Sequence, residues 1–250
     1  MLALQAFNEL WEQPEAATLA DSAAGDKQPD LAEQVFKLTT KFVKHGRMFG
    51  PSSSASAAIE QAVSAAAGCA ACCHGKVASS ALSLLNAVLD AANGSDSPQR
   101  QMLLEMVNKR GTQIAQAAFG ALLAPSPLPR LHKASVVLLE LAAAVCQTSN
   151  SSEHYSRDGA RVGPSPAADK WNPSSLQTIF LQAAHVFVPK WVVEQEASQV
   201  AVDCASLLSS GSGPQSRSYL VSRRLKKRLR DFAEMHMRSN PVECTSSAML

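Results

Sequence analysis

Aromatic residues make up only 5% of the 250-residue chain, and no stretch alternates apolar with polar residues convincingly. A β-sandwich or barrel would draw on Val, Ile and Tyr at period two, so an all-β fold is excluded. No apolar run reaches the roughly 20 residues that a membrane-spanning helix requires, and no membrane partner is expected. The net charge of +2 is too small to argue for nucleic acid, which is not an expected partner. The six cysteines, Cys69, Cys72, Cys73, Cys146, Cys204 and Cys244, lack the spacing of a disulfide framework. Met1 is not followed by a basic, apolar-cored leader, and together these features point to a reducing intracellular compartment.

Catalytic signatures are missing too. The chain contains no Gly-x-Ser-x-Gly elbow, phosphate-binding loop or Gly-x-Gly-x-x-Gly. His45, His132, His154, His185 and His236 lie far apart, with no matching Ser, Cys or Asp motif. No enzyme activity, catalytic residue or cofactor is expected. Cys69-Ala-Ala-Cys72-Cys73-His74 has the donor types of a zinc clamp, but no second ligand pair follows at a suitable spacing. Small thiols packed among alanines near a helix end account for it better, and no metal site is assigned.

What the chain does have is apolar spacing at the helical period. Leu103, Val107, Ile114, Ala118 and Leu122 fall four, seven, four and four residues apart, behind Ser97 as a plausible N-cap and Pro98 at a first helical position. Leu131, Ala134, Leu138, Leu141 and Val145 repeat the pattern after a link, residues 124–130, containing Pro125, Pro127 and Pro129. Prolines in that number turn the chain, which gives a helical hairpin of about 50 residues, the size of a HEAT or armadillo unit.

Similar stripes lie on both sides. Residues 2–12 carry Leu2, Ala6 and Leu10, with Phe7 and Trp11 beside them; because they begin in mid-pattern, they suggest a chain cut from something longer. After a linker, Asp30 and Glu33 have capping-box spacing, and Leu31, Val35, Leu38, Phe42 and Phe49 form a stripe that Gly50-Pro51 breaks. An Ala-rich helix through Ile59, Val63 and Ala66 is expected to stop at Gly75, and Val77, Ala81, Leu84, Val88 and Ala91 start the next. Asn172-Pro173 opens a helix carrying Leu176, Ile179, Phe180, Ala183 and Phe187, and another runs from Trp191 through Val200, Cys204 and Leu207.

Successive narrow stripes at a period of 40 to 50 residues define the expected fold. It is all-α, an α-solenoid of HEAT/armadillo-like antiparallel helix pairs over residues 1–238. A single irregular helical bundle is the alternative. Residues 147–170 switch to Ser, Asn, Gly, Pro and charge and are expected to form a disordered insertion, with residues 239–250 as a flexible tail.

The last helix, expected from near Pro214 to about Arg238, stands apart. Residues 222–230 contain Arg223, Arg224, Lys226, Lys227, Arg228 and Arg230, with Val221, Leu225, Leu229 and Phe232 along one apolar edge. A terminal helix of a solenoid needs a solvated outer face, which is the simplest account of the charge. The functional reading makes Arg223, Arg224, Lys227, Arg228 and Arg230 a candidate docking strip for an acidic or phosphorylated partner. A nuclear-localisation or RNA-contacting patch is a third reading.

Several segments in order resemble the C-terminal repeats of transportin-SR, an importin-β-type nuclear import receptor. They are Phe7-Asn-Glu-Leu-Trp-Glu-Gln13, VFKLTTKFVKHG after Pro29-Asp30, Ser80-Ala-Leu-Ser-Leu-Leu85, MLLEMVNKRGTQIAQAAFGALL, the link with Leu128-Pro129, LLELAAA, and Leu229-Arg-Asp-Phe232. Each is short and mostly apolar, and together they span most of the chain. The insertion at 147–170 and the tail beyond Phe232 depart from the family pattern. The resemblance implies a non-catalytic, protein-binding segment of a nuclear transport receptor, present in nucleus and cytoplasm, with SR-type (RS-domain) proteins as cargo. It places the Ran-GTP contacts in upstream repeats, so Ran-GTP is expected to bind a full-length receptor and not this segment. It places the family's main arginine-rich cargo helix upstream as well. Nucleoporins are a further partner that it admits. The alternative function is a generic helical scaffold whose basic C-terminal helix contacts nucleic acid or acidic partners.

Overall fold

The computed structural model describes residues 28–45, 53–72, 74–94, 99–123, 128–151, 177–178, 181–182, 194–209 and 219–239. Among these residues the regular structure is entirely helical, with no strand. We number the helices α1 (Pro29–His45), α2 (Ser53–Cys69), α3 (Gly75–Asn93), α4 (Arg100–Leu123), α5 (Leu128–Ser151), α6 (Glu194–Ser209) and α7 (Tyr219–Ser239). The stripes expected at residues 2–12 and at Leu176, Ile179, Phe180, Ala183 and Phe187 lie outside the described residues, as does the tail from 240 onward.

α3 is the hub, packed by α1, α2, α4 and α5. It is buried on nearly every side, through Val77, Ala81, Leu82, Leu84, Leu85, Val88 and Leu89. α2 packs on α4, α4 lies along α5, and α7 closes on α5, α6 and α4. Buried alanines on α2 (Ala58, Ala62, Ala65, Ala66) and on α4 (Ala115, Ala118) allow close helix approach. Apolar burial then falls chiefly to Phe36, Ile59, Phe119, Phe232 and the leucines. The stripe expected on α4 is buried throughout at Leu103, Val107, Ile114, Ala118 and Leu122, as are Leu131, Ala134, Leu138 and Leu141 of α5.

Six boundary and register expectations are corrected. On α1 the buried face is Ala32, Val35, Phe36, Thr39 and Val43, whereas Leu31 and Leu38 are exposed. Thr39 tolerates burial because its hydroxyl donates to the Val35 carbonyl oxygen one turn back, at 2.8 Å. The same helix starts before Asp30: Pro29 takes the first position, and the Ala32 N–H donates to the Gln28 carbonyl oxygen. Glu33 reaches forward to Lys37. Gly75 does not stop α2, which ends at Cys69; it opens α3, after a turn in which the Cys72 N–H donates to Cys69 O. α4 begins at Arg100, with Leu103 N–H donating to Gln99 O. α5 takes in Leu128, Pro129 and Arg130 from the link, where a first-turn proline forfeits no helical hydrogen bond. It also continues to Ser151, so residues 147–151 of the expected insertion are helical.

Polar side chains, from buried Asn93 to exposed Lys109, hold the helices in register. Asn93, at the end of α3, donates from Nδ2 to the backbone oxygen of Glu140 at 2.9 Å and to its carboxylate at 2.8 Å. Glu60 of α2 receives Lys109 at 2.7 Å and Arg110 at 2.9 Å from α4, while Gln113 donates to Ser64 one turn further on. Lys109 above all, with Arg110, holds the Glu60 carboxyl below its ordinary range against the opposing effect of burial. A depressed folded pKa contributes stability that is present above the unfolded carboxylate pKa and is lost as pH falls through the folded value. Glu60→Gln is therefore expected to lower stability by about 1 kcal/mol at neutral pH, with the deficit shrinking in acid below the ordinary carboxylate range. Urea titrations at pH 7 and pH 3 check this.

Candidate partner-binding site

α7 is amphipathic in the strict sense. Leu225, Leu229, Phe232 and Ala233 are buried at spacings of four, three and one, which fixes the helix against α5 and its neighbours. The opposite arc carries the candidate site residues. Arg223, Arg224, Lys227 and Arg230 are exposed, and Arg228 is half-buried.

The structure divides these five cations into two groups. Arg223, Lys227 and Arg230 recur at four and three, a single stripe along the helix. Among the described residues none of the three has an ion-pair partner. Arg224 and Arg228 form the adjacent stripe on the α6 side. Arg228 Nε donates to Asp203 Oδ2 of α6 at 2.7 Å, and Asp203 also accepts from Gln199 at 2.8 Å. A groove of about 620 Å³ runs between α6 and α7, lined by Asp203, Ser206, Leu207, Arg224, Lys227 and Asp231, with Arg228 in its wall. Asp203 and Asp231 place negative charge in the groove beside Arg224, Lys227 and Arg228, while Arg223 and Arg230 lie outside its lining. Arg228 belongs first to the α6–α7 contact.

Cys204 lies beneath that ion pair. Burial pushes its thiol up to about 12, with Arg228 opposing and Asp203 adding slightly. A thiol so protonated is a poor nucleophile. In native protein at pH 8 it is expected to resist a thiol-reactive reagent. Arg228→Gln should speed its modification by freeing α6 from α7, and mass spectrometry of the α6 peptide during a reagent pulse checks this.

In the Cys69–His74 cluster the described thiols are packed inside the fold. Cys69 and Cys72 are buried, and the Cys72 thiol faces the His74 carbonyl oxygen at 3.5 Å. No group of three metal-ligating side chains comes together among the described residues, and Cys73 lies outside them. Sequence reasoning overlooked Arg130 at this spot. Its buried guanidinium donates to the Cys72 carbonyl oxygen at 2.8 Å and to the Ala70 carbonyl oxygen at 3.5 Å. A cation there satisfies carbonyls left over at the end of α2 and faces the negative end of its dipole.

Comparison with known proteins finds no matching family model, no matching curated protein and no matching solved structure.

Proposed function

We propose that this chain is a non-catalytic protein-binding α-solenoid segment of a nuclear transport receptor of the transportin-SR kind, with SR-type proteins as cargo. The observation that carries the binding role is the outer stripe of α7. Arg223, Lys227 and Arg230 stand exposed on a helix whose opposite face is held in the core. A row of guanidinium and ammonium groups on an anchored helix suits phosphorylated or acidic side chains. The solenoid reading is supported by the packing order of the first five described helices, which mainly meet their first and second neighbours in sequence: α1 on α3, α2 on α3 and α4, α3 on α4 and α5, α4 on α5. The import reading rests on the segment-by-segment resemblance given above. In such receptors the Ran-GTP contacts and the main arginine-rich cargo helix both belong to upstream repeats. What is proposed for this segment is therefore an additional cargo contact through α7, acting in nucleus and cytoplasm.

A scaffold that binds nucleic acid through α7 is the second reading, favoured by the same charge. Salt titrations separate the two. A phosphorylated Arg-Ser peptide is expected to bind more tightly than its unphosphorylated form and than an RNA oligonucleotide of equal charge. Tighter RNA binding, with a steep logarithmic salt slope, would replace the import reading with the scaffold.

A further inference from the structure

A second basic surface is built without any α7 residue. α1, α3 and the start of α5 border a trough of about 560 Å³ whose lining includes Lys37, Lys41, Lys76 and Lys133, with Glu33 as its one acid. Glu33 is paired with Lys37. Among the described residues Lys41 and Lys76 make no ion pair, although Lys37, helped by Lys76, holds the Glu33 carboxyl below its ordinary range. Both Lys41 and Lys76 are exposed. Lys133 is half-buried, and all three of its ammonium donors go to neutral oxygens: the Ser79 carbonyl at 2.9 Å, Ser79 Oγ at 2.6 Å and Ser83 Oγ at 2.7 Å. Serine oxygens fix that cation without cancelling its charge, so the trough is positive from wall and rim alike. Burial lowers the Lys133 pKa, as expected for an ammonium short of solvent and of a counter-charge. Leu38 lines the same trough and is 50% exposed, the most exposed large apolar side chain described.

We propose that this trough docks an acidic segment of a partner protein, its carboxylates pairing with Lys41 and Lys76 in the field of Lys133 and one aliphatic side chain resting on Leu38. Charge complementarity selects the occupant. Lysines are point charges on flexible stems that follow carboxylates spaced along a peptide, whereas planar arginine forks would favour bidentate phosphate. The exposed leucine gives an acidic peptide with an apolar anchor an advantage that a purely anionic polymer lacks. The proposal stands apart from the import reading, since it uses none of the α7 residues.

The test is fluorescence anisotropy with the full 250-residue chain and a labelled peptide of alternating Glu and Leu. Lys41→Gln/Lys76→Gln is expected to weaken binding about tenfold at low salt, a few-fold for each exposed pair. Leu38→Ser should weaken it about threefold. Circular dichroism melts should match the parent, because all three positions are exposed. Arg223→Gln/Lys227→Gln/Arg230→Gln should leave this peptide's affinity unchanged. Parent-like affinity in the lysine variant would overturn the proposal, as would loss of binding in the α7 variant instead. So would tighter binding of an RNA oligonucleotide of equal charge that the lysine substitutions abolish.

Discussion

Arg130→Ala is expected to destabilise the protein by about 3 kcal/mol or more, the largest effect of any single polar substitution. The guanidinium is 3% exposed and bridges the first turn of α5 to the carbonyls at the end of α2. Removing it leaves the Cys72 and Ala70 oxygens without their charged donor, facing a side-chain-sized void. Arg130→Lys should recover only part of the loss, because one ammonium cannot reach two divergent carbonyls with the geometry of a planar fork. Urea denaturation followed by circular dichroism measures both variants. A loss below about 1 kcal/mol for Arg130→Ala would mean that the contact is ornamental to the fold.

On α7, Leu225→Ala and Leu229→Ala are each expected to destabilise by about 2–5 kcal/mol. Both side chains are fully buried, so truncation removes methyl groups from packed surroundings and leaves a cavity. Arg223→Gln, Lys227→Gln and Arg230→Gln should each change stability by less than about 0.5 kcal/mol, as exposed positions do. The contrast separates the two faces of one helix by measurement. If the leucine variants melt like the parent, α7 is not anchored as described; if the charge variants unfold early, the outer stripe is structural. Modification of Cys204 gives an independent readout, since it lies in α6 against α7 and should become accessible when α7 loosens.

How far the sequence could be read depended on which residues outweighed their neighbours. On α4 and α5 the stripes from Leu103 to Leu122 and from Leu131 to Leu141 were legible because large aliphatics recur there at the helical period. On α1 the same rule selected Leu31 and Leu38, the most hydrophobic residues in reach. The buried arc is instead set by Val35, Phe36 and Val43, whose combined surface turns Ala32 and Thr39 inward and both leucines out. A threonine that hides its hydroxyl on its own helix reads as polar and packs as apolar. Gly75 read as a stop because glycine often ends helices, yet the turn before it had already ended α2. Arg130 was beyond reach: a basic residue in a proline-rich link has no sequence sign of the carbonyls, some 60 positions earlier, that it will meet.

The candidate site was legible in outline and not in detail. Six basic residues in nine, with leucines four apart, announce an amphipathic cationic helix. That Arg228 pairs with Asp203 is a tertiary fact, set by the packing of α6 on α7. The lysine trough was less visible still, because Lys37 and Lys41, Lys76 and Lys133 come from three helices and none belongs to a charge run.

The central claim is that the outer stripe of α7 docks a phosphorylated Arg-Ser segment, and one titration tests it most directly. The parent chain and Arg223→Gln/Lys227→Gln/Arg230→Gln are titrated into labelled phosphorylated Arg-Ser peptide at low salt, with circular dichroism confirming equal folding. The account predicts that the triple variant binds at least about tenfold more weakly, with a flatter dependence on salt. Equal affinity of the two proteins for the phosphopeptide would contradict it and leave α7 as a soluble cap.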